Sequence, residues 1–309
     1  VDDSTPYDAL IVGGGPAGLS AALNLGRALM RVLLVDADRP RNAATLNSHG
    51  FLTRDGVPPH ELRRLARAEL EAYPGVEVRS RVRVHSLRMS DAGFDAGIGR
   101  RAPDETVATR AVLLATGLRE TLPDVPNLRG FYGMSLFSCT ACDAWELQGR
   151  RLALIGETSD LAARARLIAR WTAALTVFTN GSDAVTAAEE AELTAAGVTV
   201  RRARIAELVG DRGIIEAVRL DDGEAVSIEG GFVRPEWSSD LSFLHGTAPS
   251  VDGHGLIRVD HGGRTDIAGL YAAGDATVPG PQQLIVAAGA GAQAARSIVR
   301  DSVGVAFAH

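Results

Sequence analysis

Apolar residues in the opening stretch of the chain fall into two spacings. In YDALIVGGGPAGLSAALNLGRALMRVLLVDAD, β-branched and leucine residues run together ahead of Gly13, an Ala- and Leu-rich segment at helical spacing follows, and a second apolar run ends at Asp36. Strand, helix, strand is the order this predicts. The middle of the chain repeats it in RRLALIGETSDLAARARLIARWTAALTVFTNG, so the same structural unit occurs twice. Near the end, GLYAAGD predicts a short strand, after which a Gly- and Ala-rich helix begins near Gln282. A further strand is predicted in ARAVLLATGLRE, running into Ala115, Thr116 and Gly117. Strands and helices alternating in this way predict an α/β fold.

The first repeat carries Gly13, Gly15 and Gly18 at G-x-G-x-x-G spacing between its strand and its helix, with Pro16 and Ala17 opening the helix. Each glycine has a physical task in holding a dinucleotide: Gly13 allows a tight turn, Gly15 lets the backbone approach a pyrophosphate, and Gly18 lets helix and strand pack closely. Asp36, at the end of the second strand, is placed to accept hydrogen bonds from a ribose hydroxyl pair. Asp275 ends the late strand and suits a ribityl or phosphate-linked hydroxyl, while the helix start at Gln282, Gln283 and Leu284 offers unpaired N–H groups to a flavin carbonyl.

Composition narrows the classes. A chain of 309 residues with 46% hydrophobic content is long enough for two domains, and a net charge of −6 gives no footprint for nucleic acid or anionic lipid. The 32 basic residues are all arginine. Acids stand at the start, where a secretory signal would be basic, and the apolar runs are short and broken by glycine; a cytoplasmic protein without a membrane anchor is the expectation.

The chain has only two cysteines, Cys139 and Cys142, in SCTACDAWE. No second pair of cysteines or histidines at suitable spacing completes a four-ligand metal site, so no metal is expected. A purely structural disulfide closing so short a loop removes little entropy from the unfolded chain. Redox chemistry fits the pair, with a helix entered near Cys139 favouring a thiolate there. Asp143, directly after Cys142, is of the type that gives and takes a proton beside a thiolate, or stabilises a helix start by its charge.

Together these segments resemble the flavoprotein disulfide reductases, in particular the low-molecular-weight thioredoxin reductases. The resemblance implies two Rossmann-like dinucleotide folds, one inserted in the other: residues 1–118 with 246–309 as a discontinuous FAD domain, and 119–245 as a smaller second domain that holds the cysteines. It implies FAD as cofactor, a homodimer, Cys142 as the flavin-facing sulfur, Cys139 as the exchange sulfur and Asp143 as the proton carrier. Arg41, Asn42, Asn47, His49 and Val82 join Ala115, Thr116, Gly117 and Gly274 as residues expected near the flavin nucleotide. His49 is also an alternative base. For Trp145 and Glu146 packing is the expectation.

The middle repeat departs from that family. After RLALI the chain reads GETSDLAA: Gly156 is present, but Thr158 stands where a second glycine lets a pyrophosphate approach and Leu161 where a small residue lets the helix pack. The place for cations gripping a 2′-phosphate reads FTNG. NADPH is therefore not expected to serve in the usual way. Two precedents exist within the resemblance, namely ferredoxin-linked reductases and the gliotoxin- and holomycin-type dithiol oxidases that pass electrons to O2, and the run RNAATLNSHGFLTRDGVPPHEL looks like the latter. The partner is then a small dithiol or a thioredoxin-like protein. An ordinary NADPH-dependent thioredoxin reductase and a non-catalytic flavin sensor are the alternatives. The tail, with Phe307 and His309, is a further candidate to cover a flavin face.

Overall fold

A computed structural model describes residues 5–305 of the chain. In chain order the first part forms β1 (Tyr7–Val12), α1 (Pro16–Arg27), β2 (Val32–Asp36), α2 (Pro59–Leu70), β3 (Val76–Ser80), β4 (Arg83–Ser90), β5 (Gly93–Gly99) and β6 (Glu105–Leu114). There follow β7 (Arg119–Thr121), α3 (Leu128–Phe131), β8 (Leu136–Phe137), α4 (Thr140–Asp143), β9 (Leu152–Ile155), α5 (Leu161–Ile168), β10 (Leu175–Phe178), α6 (Ala187–Ala195) and β11 (Thr199–Arg201). The last are β12 (Ile205–Asp211), β13 (Ile214–Leu220), β14 (Ala225–Ser227), β15 (Gly230–Val233), β16 (Glu236–Ser238), β17 (Leu270–Ala272) and α7 (Leu284–Ser302).

The chain gathers into two compact units. Unit 1 takes residues up to Arg41, Phe51–Arg119 and those from Ser238 on; unit 2 takes Asn42–Gly50 and Glu120–Trp237.

Unit 1 is built on a sheet of order β3-β2-β1-β6-β5-β4, with β17 also paired to β6. Strands β3, β2, β1, β6 and β17 run parallel: Ala9 faces both Val32 and Ala111, and Val112 faces Leu270. Side chains alternate between the two faces, and both faces are apolar, as a sheet covered on both sides requires. Ala9, Ile11, Val32, Leu34, Ala111 and Leu113 pack against α1 and α7, while Leu10, Val12, Leu33, Val35, Val112 and Leu114 form the core of the opposite face. Each such fully buried Val, Leu or Ile contributes roughly 1.5–3 kcal/mol. Helices α1 and α7 meet closely because both carry small residues: a Cβ added at Gly291 would lie 2.0 Å from the Ala17 carbonyl oxygen. The parallel strands β1, β2, β6 and β17 end at one edge, so Asp36 at the end of β2 and the loops that carry Gly13, Ala115 and Gly274 open on the same side.

Unit 2 repeats the logic in a parallel sheet of order β11-β10-β9-β15-β8, with a separate antiparallel sheet β12-β13-β14. Leu152, Leu154, Leu175 and Val177 face one core and Ala153, Ile155 and Phe178 the other. Because the five strands are parallel, the segments after β8, β9 and β15 leave from one edge. Those segments begin with Ser138, Gly156 and Arg234. The short stretch 42–50 closes on this unit: Gly133 has φ +82°, and a Cβ there would meet the Ala44 carbonyl oxygen at 2.2 Å.

Candidate functional site

In unit 1 the glycine loop has the form its spacing predicts. Gly13 sits at φ +114° with a hypothetical Cβ only 2.3 Å from the Ala115 carbonyl oxygen, and a Cβ at Gly18 would lie 1.9 Å from the Gly13 carbonyl oxygen. Both positions exclude any side chain. A Cβ at Gly15, by contrast, would meet no protein atom within 4 Å. Gly15 is the N-cap of α1 with extended backbone, Pro16 and Ala17 open the helix, and no side chain caps it, so its first N–H groups face outward.

Around that loop stand the other nucleotide-binding candidates of the unit. Asp36 packs against the loop, 2.3 Å from a Cβ placed on Gly14, and its carboxylate accepts from the Asp38 N–H at 2.9 Å and from Arg67 Nη2. Val82 N–H donates to the Asp36 carbonyl at 3.1 Å. Arg41 Nη2 donates to Asp275 Oδ2 at 2.8 Å, and the Gln282 N–H donates to Asp275 Oδ1 at 3.0 Å. Gln283 is the N-cap of α7, which starts at Leu284, again without a side-chain cap. Gly274 (φ +78°) leaves 3.0 Å between its would-be Cβ and Ala17 Cβ, and Gly117 (φ +65°) has no neighbour within 4 Å of such a Cβ. Thr116 Oγ1 is shut away from solvent with no hydrogen-bond partner in the protein. An orphaned buried hydroxyl, a glycine cradle and two uncapped helix starts on one sheet edge form a donor set that fits a dinucleotide.

Unit 2 holds the candidate redox turn. Strand β8 pairs with β15, Leu136 opposite Gly231, and delivers Ser138 and then Cys139 to the N-cap of α4. Cys139 and Cys142 are both half-buried and joined as a disulfide with Cα atoms 5.2 Å apart. The Cys142 and Asp143 N–H groups donate to the Cys139 carbonyl at 3.3 and 3.1 Å. The helix expected from Cys139 is a single turn of four residues, with turns replacing it up to Gly149 at φ +76°. The dipole expected to favour a thiolate is correspondingly short. Ser138 Oγ donates to Glu120 Oε1 at 3.2 Å, the Tyr132 hydroxyl donates to Glu120 Oε2 at 2.8 Å, and Trp237 Nε1 donates to Glu120 Oε1 at 3.4 Å. Glu120 therefore anchors the residue that precedes Cys139.

Asp143 is 9% exposed. Burial pushes its carboxyl up to about 7, with the His49 imidazole pulling it down and Glu146 pushing it up. His49 Nε2 lies 3.7 Å from Glu146 Oε1. Of the residues expected near the flavin, Asn42, Asn47 and His49 thus cluster with the cysteine unit, while the others lie in unit 1. Packing was the expectation for Trp145, and it is 70% exposed instead. It falls on the turn beyond α4, where no further helical repeat returns it to the core.

At the degenerate loop, Gly156 follows β9 and a Cβ there would meet Arg234 Cβ at 2.7 Å and Leu161 Cδ1 at 2.8 Å. Asp160, the N-cap of α5, accepts from Thr158 Oγ1 at 2.6 Å, Arg164 Nε at 2.9 Å, and Arg234 Nε at 2.8 and 3.0 Å. Burial alone would raise its carboxyl, but hydrogen bonds from Thr158, Arg164 and Arg234 outweigh it and hold the group at about 2. The Arg234 guanidinium lies 4.0 Å over the Trp237 ring. Cations missing from FTNG in the sequence arrive from β11 and the turn after it: Arg204 Cγ would be 2.8 Å from a Cβ on Gly181. Arg201 and Arg202 are paired with Glu224 and Glu190. No local spacing marks Glu120 or Arg234, and only the basic stripe HELRRLARAEL marks Arg67.

A sequence profile of the family described as pyridine nucleotide-disulphide oxidoreductase matches residues 7–291. The chain belongs to that family. Among curated relatives of this oxidoreductase, the thioredoxin reductase tcpT of Claviceps purpurea is 32% identical over 234 residues, 72% of this chain and 71% of that one. A probable thioredoxin reductase of Arthroderma benhamiae is 37% identical over 157 residues, 48% of this chain, and the match spans 38% of that protein's length. Among solved structures, the putative thioredoxin reductase TrxB of Bacillus anthracis superposes with a TM-score of 0.89 at 34% identity, covering 96% of this chain and 99% of that one. The oxidoreductase is a thioredoxin reductase-like flavoprotein of two-Rossmann-domain fold, a group that uses FAD. Among the described residues no cluster of His, Cys, Asp or Glu could hold a metal, and no helix is long and apolar enough to cross a membrane. The tail candidates Phe307 and His309 lie outside the described residues.

Proposed function

We propose that this oxidoreductase is an FAD-dependent thiol–disulfide oxidoreductase that works through Cys139 and Cys142 without using NADPH in the usual way. The carrying observation is Asp160. A carboxylate bound by two guanidinia stands at the start of α5, where a nicotinamide dinucleotide would present its pyrophosphate, and Thr158 takes the place of a permissive glycine. Both guanidinia are engaged by that carboxylate and are not free to grip a pyrophosphate, and the Thr158 side chain keeps one away from the backbone. The substrate is a small dithiol with O2 as final acceptor, or a thioredoxin-like protein with a donor such as a ferredoxin.

Unit 1 is assigned the cofactor, held by Gly13, Gly15, Gly18, Asp36, Thr116, Asp275 and the N–H groups that open α1 and α7. When bound, FAD supplies a two-electron carrier for the cysteine pair. The chain's own residues do the exchange. A substrate thiolate attacks Cys139 Sγ, the Cys139–Cys142 bond breaks, and Cys142 leaves as a thiolate that takes its proton from Asp143. The second substrate thiol then closes on the mixed disulfide and expels Cys139. The substrate has lost two electrons as a new disulfide, and the pair has gained them as two thiols. With its carboxyl at about 7, Asp143 holds both protonation states near neutrality, which suits it to give a proton in one direction and take it in the other.

Anaerobic mixing tests this reading. Bleaching of the flavin by dithiothreitol, with no prompt bleaching by NADPH, is expected. Prompt reduction by NADPH would overturn it.

A further inference from the structure

Two titratable side chains beside the redox turn, His49 and Glu146, have no part in the exchange chemistry above. Glu146 follows Cys142 by four positions and Asp143 by three, on the turn that continues α4. His49 comes from the distant stretch 42–50, which packs on the same unit through the Ala44 and Gly133 contact. Its Nε2 reaches to 3.7 Å from Glu146 Oε1. The imidazole is mostly covered, with its side chain 19% exposed, whereas the Glu146 side chain is 44% exposed. Among the described residues, His49 from the 42–50 loop and Glu146 from its own turn act on the Asp143 carboxyl in opposite senses, the imidazole lowering it and the carboxylate raising it.

We propose that His49 and Glu146 are positioning residues of the redox turn, two side chains of opposed influence that keep Asp143 able both to release and to recover a proton, with Glu146 holding the imidazole in place. The inference rests on the reading of Asp143 as proton partner of Cys142. Its logic is one of balance. Burial and Glu146 together favour the protonated acid, which could only donate; an imidazolium alone favours the carboxylate, which could only accept. A carrier that must work in both directions needs neither influence to win. This also explains why a residue 90 positions before Cys139 is brought to the turn.

The test follows the Asp143 carboxyl itself, in the oxidised holoenzyme labelled with 13C-aspartate, its resonance assigned by its loss in Asp143→Asn. His49→Gln should move the titration midpoint up, and Glu146→Gln should move it down, each by at least ~0.5 pH unit. His49→Arg, which places a fixed positive charge there, should hold it at or below the wild-type position. Alkylation of the dithiothreitol-reduced cysteines by iodoacetamide, followed against pH, should shift in the same senses. Unchanged far-UV circular dichroism and flavin absorbance show that each variant has folded. Midpoints that move in the same direction in His49→Gln and Glu146→Gln, or that do not move, overturn the proposal. The underlying reading fails by a separate measurement: an Asp143→Asn protein that exchanges with dithiothreitol at the wild-type rate.

Discussion

Arg234, the first residue after β15, donates from Nε to both oxygens of Asp160, at 2.8 and 3.0 Å, across 74 positions of sequence. The pair ties the end of one parallel strand to the start of the helix that follows its neighbour. Arg234→Ala strips a half-buried carboxylate of a charged donor shared by both its oxygens and removes the guanidinium from the Trp237 face. Unit 2 should lose about 1–3 kcal/mol, read as a lower urea midpoint. The Asp160 carboxyl is depressed, so its contribution is present above the unfolded value of 3.8 and is lost as pH falls through about 2. The difference between wild type and Asp160→Asn should therefore shrink on acidification through that window.

Asp143 carries the opposite sign. Its carboxyl is raised from 3.8 to about 7, so the folded chain binds a proton there that the unfolded chain has released. This group's contribution is full below the lower value, falls as pH rises, and is lost above about 7, by up to ~4 kcal/mol. Urea melts at a series of pH values should show wild type weakening relative to Asp143→Asn between those limits. Exchange with dithiothreitol should fall ~10²-fold in the variant near neutrality.

Gly13 and Gly15 are two residues apart and should respond differently. Gly13→Ala forces a Cβ into the Ala115 carbonyl at 2.3 Å from a backbone with φ +114°, so the purified chain should unfold earlier with or without flavin. Gly15→Ala meets no protein atom within 4 Å. Its apo form should melt like the wild type, while the fraction of FAD retained on purification drops. Equal FAD content in Gly15→Ala would remove the dinucleotide from that face of the loop.

Cys139→Ser should abolish dithiol turnover and leave the flavin absorbance in place, because the cysteines belong to unit 2 and the glycine cradle to unit 1. Full turnover in this variant would reassign the exchange sulfur.

What could be read along the chain was whatever depends on near neighbours. Gly13, Gly15 and Gly18 are close in sequence because one turn uses them all, and Cys139, Cys142 and Asp143 lie within a single helical turn. Parallel strands then bring far segments to one edge, and no local spacing records the result. Glu120 beneath Ser138, Arg67 on Asp36, and Arg204 beside Gly181 are products of that convergence. His49 was legible as a titratable group, but its neighbour Glu146 was not. Aromatic residues usually find cover, but the end of α4 after one turn leaves Trp145 at the surface.

The chain crosses between its units after Arg41, Gly50, Arg119 and Trp237. A graft or truncation that transfers only 120–237 would carry the disulfide away without the loop that seats against Gly133 and brings the imidazole. The disulfide turn of such a chimera would arrive with half of its electrostatic setting left behind, so the smallest transplantable module is made of two pieces of polypeptide.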